Sequence, residues 1–178
     1  MSSELGELFA KRYTAKLPDN ELKERISNFL KEQTMCTLAT SKEDVPRATP
    51  LEYYSEGITL YIAADPGTKI VNLTANPRIS VSICNDVHPD WPGGAWKRTK
   101  AAQITGEPTI LTPDDTEYAH ALEVYNWGPF YKALGRSPDE RPKPGRMMIK
   151  VEAKKIEYSE FALMLKGYAG RQVWEAST

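Results

Sequence analysis

A mainly β fold with peripheral helices, built on a six-stranded antiparallel barrel, is what this sequence predicts. Six strand-length runs rich in β-branched and aromatic residues follow one another between residues 35 and 158. Within them apolar residues alternate with polar ones, the period of a strand that buries one face. The first three are joined by turn sequences too short for parallel crossovers. The 178 residues suit one domain with a substantial core: a helix over 19–33, a barrel over about 34–158 and a C-terminal tail over 159–178.

In chain order, Asp19-Asn20 after Pro18 offers a helix cap, Glu21 and Glu24 suit a helix start, and Leu22, Ile26, Phe29 and Leu30 share one face. The strand runs are "MCTLAT" (35–40), "RATPLEYY" (47–54), "ITLYIAA" (58–64), "RISVSIC" (78–84), "KAAQITGEPTIL" (100–111) and "RMMIKVEAKKIEY" (146–158). "SKEDVP" and "SEG" supply the first two turns. A short helix is expected after Gly67. A longer one is expected over 112–125, with Thr112 as cap, Pro113 in the first turn, Asp115 completing a capping box, and Tyr118, Ala121, Leu122 and Tyr125 along one side. Two loops, 85–99 and 126–145, are long and rich in Gly, Pro and aromatics, a composition common at functional sites.

Lys and Arg total 23 against 24 Asp and Glu, a formal net charge of −1, so no global field gathers nucleic acid or an anionic membrane. Neither a spanning run nor a secretory leader is visible, and the expected location is the cytoplasm. Cys36 and Cys84 lie inside strand runs without metal-ligand spacing and are expected as buried free thiols. With only His88 and His120, no histidine-rich metal site is expected.

"DPGTKIVNLTANPRISVSIC" (65–84) is the most informative stretch. Gly67 permits close backbone approach, Thr68 adds a hydroxyl and Lys69 an ammonium, all at a helix start where unpaired N–H groups favour anions. Asn76-Pro77 ends the helix after little more than two turns. Taken alone, a short Gly-Thr-Lys helix start is more often a plain connection than a phosphate seat.

The serial order "CTLATS", "PRATPLEYY", "GITLYIAAD", "GTKIVNLTANPRISVSI" and "QITGEPTIL" resembles the FMN-binding split-barrel family, also called pyridoxamine 5′-phosphate oxidase-like, over residues 34–111, with a weaker echo at 146–158. The resemblance implies a Greek-key split barrel, a homodimer, FMN at each subunit boundary and oxidoreductase chemistry on a small-molecule redox substrate, with NADH and NADPH as candidate donors. It maps phosphate binding onto Arg47, Lys69 and Thr68. Main chain of Thr49-Pro50-Leu51 and of Tyr61-Ile62-Ala63 would run along the flavin ring, and Lys100 and Gln103 would contribute from the other subunit. Trp91, Trp96, Trp127, Phe130 and Tyr131 would cover the ring or pack the dimer interface.

Departures from the named oxidase bear on substrate. Where that enzyme has a basic residue followed by glutamine, five positions before the glycine of this strand, the chain has Lys100 and Ala101. The oxidase's C-terminal Arg-Leu-x-Pro is replaced by "KGYAGRQVWEAST", in which Arg171 and Trp174 are candidates for the flavin or substrate edge. Oxidation of pyridoxamine phosphate is therefore not expected. Relatives of this fold also carry flavin, deazaflavin or haem without turnover; His88 is the residue to test for haem ligation. If Arg47 and Lys69 stood apart, a structural dimer without cofactor would remain.

Overall fold

The sheet is built from strands of which those at Met35–Lys42, Ile79–Cys84, Lys100–Leu111 and Met147–Glu160 bury mainly one face, and the computed structural model describes residues 4–86, 90–140 and 146–177 of the chain. Two helices, α1 (Glu4–Ala10) and α2 (Asp19–Glu32), precede it. Helix α2 buries Leu22, Ile26, Phe29 and Leu30, as the apolar spacing requires. Its start departs from expectation: Pro18 holds the cap position and no side chain caps the helix, so Asp19 and Glu21 act on it through first-turn charge.

The strands are β1 (Met35–Lys42), β2 (Val45–Glu52), β3 (Tyr54–Glu56), β4 (Thr59–Ala64), β5 (Ile79–Cys84), β6 (Lys100–Leu111), β7 (Met147–Glu160) and β8 (Arg171–Glu175). All pairings among them are antiparallel, in the order β2-β1-β5-β6-β7-β4-β3, with β8 on β7. The two ends of this path, β2 and β3, are consecutive in the chain with only Tyr53 between them, so the sheet curls on itself.

The described strands number eight rather than six, for two reasons. The run expected unbroken over 47–54 is interrupted at Tyr53, which is fully buried; its N–H bonds the Thr34 carbonyl and its hydroxyl donates to the Leu30 carbonyl at 2.8 Å. The backbone bond extends the β1–β2 register by one step, and the hydroxyl ties the sheet to α2. The segment after 158, read as a tail, contributes the end of β7 and the whole of β8. Buried Gln172 secures it by accepting the Leu17 N–H at 3.1 Å and donating to the Ala169 carbonyl at 2.6 Å.

Inside the curl, Leu38, Leu60, Ile62, Ile104, Ile149 and Val151 are each 0% exposed and form the main core under α2. Where β6 bends against β7 the register shifts at Gly106, and a Cβ there would lie 2.4 Å from the Glu152 carbonyl oxygen, so only glycine fits. A second apolar cluster lies around β4 and the start of β7, where Tyr61 and Met148 pack with Tyr118, Tyr125, Trp127 and Tyr131 of two short helices, α4 (Tyr118–Val124) and α5 (Gly128–Ala133), and their connection.

Two further expectations are corrected. The helix foreseen over 112–125 begins only at Tyr118, because the Thr112 N–H and hydroxyl both donate to one Asp115 carboxylate oxygen, at 2.7 and 2.8 Å, and close a turn instead. Cys36 is buried, but Cys84 is exposed: with Ile79, Val81 and Ile83 pointing inward, residue 84 falls on the outer face with Ser82. Among the described residues no helix is long and apolar enough to cross a membrane.

Candidate functional site

Helix α3 (Thr68–Ala75) is the element that organises the site. It starts after extended Gly67, where an added Cβ would meet nothing within 4 Å, and ends at Asn76, whose N–H bonds the Asn72 carbonyl. Buried Asn72 donates to Thr40 Oγ1 at 3.1 Å and Asn76 donates to Ser41 Oγ at 3.0 Å, fixing the helix against the end of β1. Thr40 faces Arg47 across the β1–β2 ladder, and directly paired residues project to the same side of a sheet. Arg47 therefore rises on the side of the sheet that α3 covers.

Arg47 is exposed, and among the described residues it has no hydrogen-bond or ion-pair partner. Lys69 is half-buried and donates from Nζ to the Asp65 carbonyl at 3.0 Å, closing the turn that leads into α3. The Ile70 and Val71 N–H groups bond the Gly67 carbonyl, leaving those of Thr68 and Lys69 without an intrahelical acceptor. Arg47 thus stands on the side of the sheet that α3 covers, and Lys69 stands in the first turn of that helix.

Beside them the sheet is not paired. Strand β2 bonds β1 alone, and its Pro46 and Pro50 are tolerated as on an edge strand. On β4, β3 covers only Thr59–Tyr61, leaving Ile62, Ala63 and Ala64 paired with β7 on one side alone. Strands β2 and β4 approach without pairing, so Thr49-Pro50-Leu51 and Ile62-Ala63 border one gap. Thr49 Oγ1 is buried there and finds no hydrogen-bond partner among the described residues.

Other expected residues separate. Lys100 and Gln103 point to opposite faces of β6: Lys100 reaches Glu32 at 3.7 Å beside α2, and Gln103 lies outside, 3.4 Å from Ser80 Oγ. Tyr61 is buried in the second cluster. Trp174 packs on the main core with Lys23 over its ring, and exposed Arg171 lies 3.9 Å from Glu157. Trp91 and Trp96 border a separate concavity with Glu4 and Lys97. His88 lies outside the described residues.

A cavity of about 530 Å³ opens beside the gap between Glu52 and Tyr54 on one side, Ala63 and Asp65 on another, and Tyr125, Trp127, Phe130 and Arg146 on the third. Arg146 pairs with Asp65 at 3.0 Å and lies 5.0 Å from the Trp127 ring centroid. Tyr125 donates to Glu52 Oε2 at 3.2 Å; burial first, and then the Glu52 charge, push its phenol above the ordinary value. Sequence reasoning singled out Trp127 and Phe130 but missed Glu52, Asp65 and Arg146, which become neighbours only when the sheet curls. The one available signal was Glu52, a charge at the end of an otherwise neutral strand face.

Comparison with known proteins agrees with this architecture. The family model described as pyridoxamine 5′-phosphate oxidase matches residues 22–160. Among solved structures, an FAD-binding protein from Mesorhizobium loti superposes with a TM-score of 0.57 at 19% identity, covering 80% of this chain and 92% of its own. General Stress Protein 26 from Bacillus anthracis gives 0.55 at 23% identity, covering 78% and 93%. A heme binding protein from Mycobacterium smegmatis gives 0.59 at 17% identity, covering 90% and 60%. No curated protein sequence matches. The curled antiparallel sheet, the short helix placed over its end and the family match across residues 22–160 together establish that this chain belongs to the pyridoxamine 5′-phosphate oxidase family.

Proposed function

We propose that the chain binds FMN at the boundary of a homodimer of split Greek-key barrels and acts as an oxidoreductase on a small-molecule substrate, with NADH or NADPH as donor. The observation that carries this reading is the placement of Arg47, which has no partner among the described residues, on the side of the sheet covered by α3, whose first turn holds Thr68 and Lys69. Two cations match a phosphate dianion, and charge-assisted hydrogen bonds are the stronger kind. The residues also fit the rest of the group. The edges of β2 and β4, unpaired among the described residues, offer backbone donors and acceptors to a flat heterocycle, and the buried Thr49 hydroxyl of β2 has no partner among those residues.

Dimerisation has its own support. Across β1, β5 and β6 the outer face carries Thr37, Ala39, Ser80, Ser82, Ala101 and Gln103, short or neutral side chains in direct register. A broad face without charge at its centre suits a second copy better than water. On that arrangement Gln103 is presented to the partner, whereas Lys100 turns toward its own α2.

When bound, FMN supplies two-electron redox chemistry. The chain's own residues hold the phosphate, align the ring through strand backbone and leave access from the cavity beside Glu52 and Arg146. The test is FMN affinity of Arg47→Ala and Lys69→Ala. Each removes a charge-assisted contact of about 1.5–3 kcal/mol, so the dissociation constant rises roughly tenfold to a hundredfold. Unchanged affinity in both variants, with the fold retained, refutes the phosphate assignment.

A further inference from the structure

The cavity beside the β2–β4 gap carries more information than its size. Its aromatic wall is built in advance: Tyr54 and Tyr125 meet edge to face at 4.8 Å, and Tyr125 and Trp127 lie 4.6 Å apart. Such a wall receives a planar ring at low entropic cost. Among the described residues that line the cavity, the carboxylates of Glu52 and Asp65 are set against the guanidinium of Arg146. Asp65 already engages Arg146 Nη2 at 3.0 Å, so an incoming anion would meet a guanidinium whose charge is partly offset and would also approach the Glu52 carboxylate. Polar capacity remains on both sides. Glu52 Oε2 accepts the Tyr125 hydroxyl, and among the described residues its other oxygen has no partner. Arg146 retains N–H groups beyond the one given to Asp65.

We infer that this cavity seats an uncharged or cationic planar ring with a carboxamide-type edge, its N–H side toward Glu52 and its carbonyl toward Arg146. The inference rests on the flavin reading for its role, as the seat of the second redox substrate. It rests on the cavity alone for its ligand class.

Nicotinamide and nicotinate test it, because they share a ring and differ in carrying a carboxamide or a carboxylate. Each is titrated into the purified full-length protein by calorimetry and by tryptophan fluorescence, with flavin content read separately from visible absorbance. Nicotinamide is expected to bind and quench saturably. Nicotinate is expected to bind on the order of tenfold more weakly, the discrimination set by apposed like charges. Glu52→Gln is expected to narrow that ratio, and Trp127→Phe to remove the quench while far-UV dichroism is unchanged. Nicotinate binding as tightly as nicotinamide, or no saturable binding of either, overturns the inference in the wild-type protein without recourse to variants. A colourless protein that still prefers nicotinamide sustains the ligand class while defeating the flavin reading, and a yellow protein without the preference does the reverse.

Discussion

Removing the Asn72 side chain tests the coupling between α3 and the sheet, on which the position of the candidate phosphate seat depends. Asn72 is 4% exposed and Thr40 is also 4% exposed, so neither side chain exchanges its 3.1 Å hydrogen bond for water. Asn72→Ala deletes a bond with a net value of about 0.5–1.5 kcal/mol and leaves a buried hydroxyl whose desolvation costs about 1–3 kcal/mol. A loss of about 2–3 kcal/mol is therefore expected. Thr40→Val removes the other partner, and in the double variant no polar group is stranded, so the double-mutant cycle should return a coupling energy of about 1 kcal/mol. Urea denaturation of the four proteins measures this, with unchanged m-values confirming that the denatured state is comparable. Because Lys69 lies one turn before Asn72 on the same helix, Asn72→Ala should also weaken FMN retention, by less than Lys69→Ala does. Strict additivity of the two substitutions would show that the contact does not anchor α3.

Three other predictions concern the core. Glu160 is 6% exposed and accepts from Arg25 Nη1 at 3.2 Å and from the Tyr158 hydroxyl at 2.8 Å. Glu160→Ala should cost about 2–4 kcal/mol in urea denaturation, below the full value of a buried pair because Arg25 retains solvent contact; a loss below 1 kcal/mol by the same measurement would refute it. Burial pushes the Cys36 thiol from its ordinary value of 9.0 up to about 12, whereas Cys84 is exposed. A thiol reagent at about pH 8 should modify one cysteine per native chain and the second only after unfolding, since the thiolate is the reactive form. The folded state holds the Cys36 proton more tightly than the unfolded one, so this contribution to stability is complete below about pH 9 and is lost as pH rises toward about 12. Buried Tyr53 shifts in the same direction, mainly through desolvation. A thermal midpoint that stays flat across that alkaline window would contradict the burial of both groups.

Much of the fold was legible because it rests on short-range rules. Strand β6 follows its apolar and β-branched run from Lys100 to Leu111, and α3 stops where Asn76-Pro77 forbids helix. Elements settled by distant contacts were not legible. The break at Tyr53 exists because its hydroxyl reaches Leu30, 23 residues away, and β8 is held by Gln172, a polar residue in sequence that is 2% exposed in the fold. Thr112 and Asp115 were correctly paired but incorrectly extended into helix, since a capping contact closes a turn as readily as it starts one. The alternation that turns Ile79, Val81 and Ile83 inward also turns Cys84 outward. For the candidate site, motif order proposes Arg47, Thr68 and Lys69, whereas Glu52, Asp65 and Arg146 are scattered along the chain and meet only across the curl of the sheet.

The visible absorption spectrum of the freshly purified protein, followed by identification of what heating releases, bears most directly on the central claim. A yellow protein that yields close to one FMN per chain is the expected result. A colourless protein that stays colourless after incubation with FMN, or one with a haem spectrum, would contradict it.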